Sequence, residues 1–287
     1  MRYPGRKSGS KGQGTTLSDI HIHQIFYDAA SRAALDSGYI PLDNTANKRP
    51  DWYEFWVILQ YLRTHRLEPG DWYGFVSPGV GWKTRLSPAV VKSTLAQLPD
   101  DRDALVLPTF LDQVAPFINQ FEQGERRHKG LIAASEIFLR PLGYDLSKLV
   151  SHTFNSAYSN FVIGRKTYWD KWRELAERFF DYCESPNSPL RDLKTVYQEA
   201  GKSDTPMKVF IQERLSSVVL YFGGLSVSGI DLGEQIQIVE THLRGRPEYQ
   251  RLRALDELKQ AYCATGDMIY LQAFSRLRGL LPKAPRA

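Results

Sequence analysis

The residues best suited to chemistry in this 287-residue chain fall into short polar segments set among apolar ones. Glu213 and Arg214 interrupt the run from Val209 to Leu220, which is otherwise mostly apolar. A carboxylate in such surroundings is costly unless it is paired or used. Glu213 is therefore either half of a structural ion pair with Arg214 or a base able to take a proton from a hydroxyl. Arg126 and His128 close the segment Phe121-Glu-Gln-Gly-Glu-Arg-Arg-His128. Their forked and ring donors suit pyrophosphate oxygens, although a charge run of this kind is also what a solvated helix end looks like. Asp43 and Asn44 follow Ile-Pro-Leu, with Arg49, Asp51 and Glu54 close behind. Such residues at a strand-end turn bond either their own backbone or the hydroxyls of a ribose.

Asp71 and Tyr73 precede Gly74, and Ser77 closes the same segment. A glycine inside a strand marks close approach by backbone or ligand, or tight packing. Asn155 and Asn160, taken with Lys208, complete the polar set. His21 and His23 flank one residue of a strand and so share a face. Paired histidines can hold a metal, but no other His or Cys lies near them in sequence, and a structural or substrate-facing role fits better.

The elements that must position these residues are legible from periodicity. Ile20–Tyr27 alternates as a strand and is followed by a short helix over 29–37. Pro50 opens a helix with an apolar face of Trp52, Phe55, Trp56, Leu59 and Leu62. Asp71–Pro78 is a second strand entering a Gly/Pro loop that runs to Lys83, and Ser87-Pro88 caps a helix ending near Leu98. Ala104–Pro108 is a wholly apolar strand of the kind found at a sheet centre, and 159–164 is another strand. Amphipathic helices follow, with Trp169, Trp172, Leu175, Ala176, Phe179 and Cys183 on one face, then Lys208–Phe222, then two more between Pro247 and Leu280. Alternating strands and helices imply a mainly parallel, doubly wound α/β sheet. Ligands of such sheets sit beyond the carboxyl ends of the strands.

Composition sets the outer bounds. With 42% hydrophobic and 24% charged residues, the chain is globular rather than disordered. Its two cysteines, Cys183 and Cys263, exclude a disulfide scaffold and a zinc finger and suit a reducing compartment. No apolar run suggests a signal peptide or membrane span, so a cytoplasmic location is expected. Residues 1–18 carry Arg2, Arg6, Lys7 and Lys11 and no acid. Without those four, the formal charge falls from +5 to +1. The basic character thus belongs to the tails, including Arg276, Arg278, Lys283 and Arg286. No specific nucleic-acid face is expected; the tails leave contact with RNA or with an anionic membrane surface open. Phosphate-loop, dinucleotide and nucleophile-elbow motifs are absent.

Several segments together resemble bacterial glycosyltransferase-like proteins of capsule and O-antigen gene clusters, some known only as domains of unknown function. The similar stretches include His23-Gln-Ile-Phe-Tyr27, Tyr39-Ile-Pro-Leu-Asp-Asn44, Arg49-Pro-Asp-Trp-Tyr-Glu-Phe-Trp56, Asp71-Trp-Tyr-Gly-Phe-Val-Ser-Pro78, Phe121-Glu-Gln-Gly-Glu125, Asn160-Phe-Val-Ile163 and Met207–Leu215. The resemblance spans about residues 20–280. It implies a Rossmann-like GT-A domain over 19–228 and a C-terminal helical extension over 229–287 on the same domain; residues 1–18, rich in Gly, Ser and Lys, are expected to be a disordered tail by composition. It also implies transfer of a sugar from a nucleotide-activated donor to a glycan or protein acceptor.

On that reading Asp43, Asn44, Asp71, Tyr73 and Ser77 contact the nucleotide, while Arg126 and His128 offset pyrophosphate charge. Asn160 inherits a place beside the donor sugar with Lys208 and Arg214 around it, and Glu213 acts as base. Two departures stand out. Gly79-Val-Gly-Trp82 replaces the basic or aromatic residue that the group tends to have after Ser-Pro. Ser77-Pro78-Gly79 also stands where metal-dependent GT-A enzymes carry Asp-x-Asp, so a divalent metal is not supported by the sequence. Two rival readings are a catalytically degenerate scaffold in polysaccharide assembly and a nucleic-acid-associated protein working through its tails.

Overall fold

The computed structural model describes residues 18–108, 110–158, 160–197 and 202–282. Most of the expected tail, residues 1–17, lies outside that set, as do Lys283 and Arg286. The chain runs β1 (Ile20–Phe26), α1 (Ala29–Ala33), β2 (Ile40–Asp43), α2 (Tyr53–Thr64), β3 (Trp72–Val76), α3 (Val80–Thr84) and α4 (Pro88–Gln97). It continues through β4 (Ala104–Val106), α5 (Leu111–Val114), α6 (Gln120–Glu125), α7 (Leu131–Leu139), β5 (Val162–Gly164) and α8 (Lys166–Glu184). The remaining elements are β6 (Lys194–Tyr197), β7 (Lys202–Pro206), α9 (Met207–Phe222), β8 (Val227–Gly229), α10 (Arg246–Thr265) and α11 (Met268–Arg278).

Six strands form one α/β sheet in the order β2-β1-β3-β5-β4-β8. Neighbours pair in parallel except at β5, which runs against both β3 and β4. The sheet is thus mainly parallel, as the alternation of elements implies. The reversal at β5 and the short edge strand β8 are findings beyond that expectation. β6 and β7 make a separate antiparallel hairpin.

Pleat alternation divides the strand side chains between two cores. Ile25, Phe75, Val106 and Val162 pack with α2, α7, α8 and α9 on one face. Ile22, Trp72, Leu105 and Ile163 pack with Val91 and Leu95 of α4 on the other. β4 is buried throughout, as its apolar sequence requires. α8 buries Tyr168, Trp169, Trp172, Leu175, Ala176, Phe179 and Cys183, a stripe at helical spacing. Each large side chain there contributes about 1.5–3 kcal/mol by leaving water. A third cluster joins Leu111 and Ala115 to Leu252, Leu255 and Phe274, which fastens α10 and α11 onto the sheet domain.

Gly74 serves packing rather than ligand approach. A Cβ there would stand 3.0 Å from Ile163 Cγ1 and 3.3 Å from Ile22 Cγ2, on the strands at either side.

The helix expected from Pro50 is divided. Pro50–Trp52 forms a 3-10 turn, and α2 begins at Tyr53, whose backbone breaks the path with φ 49° and ψ −136°. That break sets the direction of everything that follows it, including Glu54.

Candidate active site at the carboxyl edge of the sheet

The parallel strands β1, β2, β3, β4 and β8 end on one side of the sheet, and β5, running oppositely, begins there. Five elements deliver side chains to this edge. Tyr27 stands at the tip of β1, Asn160 just before β5, Lys83 in α3 beyond the tip of β3, Glu54 in the first turn of α2, and Glu213 in the middle of α9.

Asn160 Nδ2 donates to Glu54 Oε2 at 2.9 Å. Burial pushes the Glu54 carboxyl up to about 7, against the pull of Lys83 and Asn160 and with a further push from Glu213. Glu213 is raised for the same first reason, with Arg214 and Lys83 opposing. The Tyr27 phenol is raised by burial and by the negative charge of Glu54 and Asp28. These mutual effects tie Tyr27, Glu54, Lys83, Asn160 and Glu213 into one electrostatic unit. Glu54 is partly exposed and the Glu213 side chain is 42% exposed, yet burial raises the proton affinity of both carboxyls.

Lys83 Nζ lies over the Phe161 ring at 5.6 Å, beside Asn160 in sequence, and makes no ion pair among the described residues. Its backbone is fixed from across the sheet, since Gln237 Nε2 donates to the carbonyls of Trp82 and Lys83 at 2.9 and 2.8 Å. Ser77, at the tip of β3, is buried with a hydroxyl that has no hydrogen-bond partner among the described residues. Exposed aromatic rings stand along the same edge: Tyr27 at 48%, Tyr53 at 49% and Trp82 at 61%.

The segment before Glu54 is fastened by charge. Arg49 donates to Asp51 through Nε at 2.9 Å and through Nη2 at 2.8 Å, and Nη2 also reaches Glu184 at 2.7 Å. Lys208 Nζ donates to Asp51 at 2.6 Å and sits over the Trp52 ring at 4.4 Å. Trp52 Nε1 donates to Glu184 at 3.0 Å, and Gln212 Nε2 to the Trp52 carbonyl at 3.1 Å. Although burial raises it, the Asp51 carboxyl is held down to about 2 by Arg49 and Lys208.

The sequence-expected residues divide accordingly. Asn160 lies at the carboxyl edge, bonded to Glu54, and Glu213 acts electrostatically on that same carboxyl. Asp43 and Asn44 lie at the tip of β2, where Asp43 Oδ1 accepts from Thr45 N at 2.7 Å and the backbone N–H of Asn44 donates to the Phe26 carbonyl at 2.8 Å. Asp71 and Tyr73 sit at the opposite, amino edge. There Asp71 accepts from Asp19 N at 3.0 Å, pairs with His21 Nε2 at 3.3 Å and takes the Tyr73 hydroxyl at 3.4 Å. They therefore cannot share a pocket with Asn160, because β3 runs away from them toward the other edge.

Lys208 belongs to the ionic clamp rather than to a ligand. Arg214 is turned into the core, donating to the carbonyls of Gln120 and Phe210 at 2.9 and 2.6 Å, in space that Gly124 leaves free by lacking a Cβ. His128 is buried, stacked on Phe210 at 3.5 Å, and burial lowers its pKa. Arg126 lies over Phe117 and lines a separate cavity of about 540 Å³ with Arg127, Glu240 and Arg278. Arg126 and His128 thus do not meet in one anion grip. Asn155 caps its own loop, accepting from His152 N at 2.7 Å.

His21 and His23 also separate. His21 joins Asp19 and Asp71 in a group whose ligand-type atoms lie within 4.8 Å of one another. His23 is buried against Phe75 and Tyr61, and burial lowers its pKa to about 4. No helix among the described residues is long and apolar enough to cross a membrane.

Glu54 and Lys83 are the residues that sequence reasoning undervalued. The acid of Trp52-Tyr-Glu-Phe-Trp56 was one signal, since a charge within an aromatic run needs a partner or a use. The lysine ending the loop after β3 was the other. Compared with known proteins, the chain matches no family model, no curated protein and no solved structure.

Proposed function

We propose that this chain is a glycosyltransferase that moves a sugar from a nucleotide-activated donor onto a glycan or protein acceptor. Its finer fold would then be a doubly wound GT-A-type domain with the helical segment after Gly229 as an extension. The observation that carries the reading is the convergence of Glu54, Asn160, Glu213 and Lys83 on the carboxyl edge of a mainly parallel sheet, where ligands of such sheets bind.

The chemistry fits the charges. A carboxyl titrating near neutral pH is matched to accept a proton from a hydroxyl in the transition state. Glu54 takes that role in preference to Glu213, because Asn160 fixes its orientation and Glu213 supports its proton affinity. As the bond from sugar to diphosphate breaks, negative charge grows on the leaving oxygens. Lys83, unpaired among the described residues, is the cation placed to meet it, and such help counts most when it is preorganised. Tyr27 and the tip of β2 face the side on which the nucleotide would lie.

The test is a panel of uridine, guanosine, cytidine and thymidine sugar nucleotides, followed by release of nucleoside diphosphate. The wild type should release it from at least one donor, and Glu54→Gln should lower that rate about 10²–10⁴-fold, the usual contribution of general base catalysis. Glu213→Gln should cost less. Donor-dependent thermal stabilisation without release would favour the scaffold reading. Equal release by wild type and Glu54→Gln would remove Glu54 from the mechanism.

A further inference from the structure

Tyr53 is held against its own backbone preference. At φ 49° and ψ −136° a bulky L-residue is in a sparsely populated and costly region, and such outliers persist only where their surroundings over-determine them. The surroundings here do so. Arg49, Asp51, Glu184 and Lys208 clamp the turn just before it, and Gln212 holds the carbonyl of Trp52. Core packing does not explain the arrangement, because the Tyr53 side chain is 49% exposed. A fixed backbone thus places a large ring in solvent one residue from Glu54. Tyr53 also lies close enough to Tyr197 to act on it electrostatically, and Glu213 acts on Tyr197 as well. The Tyr197 ring packs on Phe210 of α9 at 5.3 Å, so the Tyr53 ring stands toward α9, next to Glu54 and near a second phenol.

We infer that Tyr53 is a stacking platform for one pyranose ring of the acceptor, beside Glu54 and Glu213 at the carboxyl edge of the sheet. This deepens the transferase reading and rests on it. A pyranose has an apolar C–H face that packs on an aromatic ring and a rim of hydroxyls. Those hydroxyls suit Glu54, Glu213 and the Tyr197 phenol as hydrogen-bond partners. A diphosphate would instead seek the cation, and Lys83 lies by Phe161 at the β3–β5 side.

The experiment uses the full chain with methyl pyranosides of glucose, galactose, mannose and N-acetylglucosamine as probes. Binding is followed by saturation-transfer NMR and stability by thermal melting, so neither readout depends on turnover. Tyr53→Gly removes the ring and suits the left-handed backbone. It should bind the best pyranoside about tenfold more weakly, or about 1.4 kcal/mol, while melting about 2 °C higher. Tyr53→Phe keeps the face and should bind as the wild type does.

Unchanged binding in Tyr53→Gly, no pyranoside binding by the wild type, or an equal loss in Tyr53→Phe would each overturn the platform. Absence of diphosphate release from every donor would instead count against the transferase reading, while the pyranoside measurements still decide the role of Tyr53.

Discussion

The two ends of the same sheet treat their polar residues in opposite ways. At the amino edge, Asp71 is satisfied by Asp19, His21 and Tyr73, and Arg165 donates to the carbonyls of Arg102 and Gly70 while its guanidinium covers the Trp72 ring at 4.3 Å. These groups answer one another across the starts of β1 and β3. At the carboxyl edge, Glu54 has Asn160, but Lys83 has no ion pair among the described residues, and the hydroxyl of Ser77 is unpartnered. Glu213 approaches Arg214 only at 3.7 Å. Buried polar groups are normally satisfied, and an end that leaves them under-satisfied keeps capacity for something else. The amino edge is satisfied by its own chain, whereas the carboxyl edge keeps polar groups without a partner among the described residues.

The comparison breaks first at the clamp that shapes the open edge. Lys208→Met removes a buried ammonium from Asp51 and Glu184, which are partly exposed and keep Arg49, and should cost about 2 kcal/mol, as for hydrogen bonds to charged groups. Urea unfolding would measure it. Because the clamp sets the path of the chain into Tyr53 and Glu54, diphosphate release should fall as well. The expected loss of stability with normal turnover would separate the clamp from the site.

A smaller effect is expected at the closed edge. His21→Ala removes one partly exposed partner of Asp71 and should cost no more than about 1 kcal/mol, as for other exposed ion pairs. Release should stay within about twofold of the wild type. A large activity loss there would show that the two edges are not functionally distinct.

Much of this contrast was legible in the sequence, and the failures have definite physical causes. Periodicity exposed the strands and the long helices because α8 and β4 are buried on patterns that only one kind of element produces. Glu213 emerged because a charge in an apolar segment carries a desolvation cost, and Asn160 because the resemblance places it beside the donor sugar. Asp71 was misplaced although the rule favouring strand ends applies only after a strand, and Asp71 comes before β3. Arg214 was misjudged because adjacent helical positions differ by about 100° in direction. Glu213 therefore meets the cleft while its neighbour enters the core, and sequence alone does not say which is which.

The direction of β5 was hidden by its three-residue length and by the long excursion that separates it from β4. The β6–β7 hairpin was missed because its Lys194 and Lys202 ends look like loop. Glu54 was visible only as a companion of Asp43 and Asn44. Its importance follows from the turn at Tyr53, which no periodicity reports.

The account stands on a carboxyl at the open edge that keeps its proton near neutral pH. Folding raises the affinity of Glu54 for that proton from the ordinary value of 4.5 to about 7. This group's cost to stability therefore grows as pH rises through that window, and Glu54→Gln is relieved of it. The direct measurement is carbon-13 NMR of glutamate carboxyls through a pH titration, with Glu54 identified by its absence in Glu54→Gln. A midpoint near 7 that moves when a nucleoside diphosphate is added is the predicted result. A midpoint near 4.5, indifferent to nucleotide, would contradict the account.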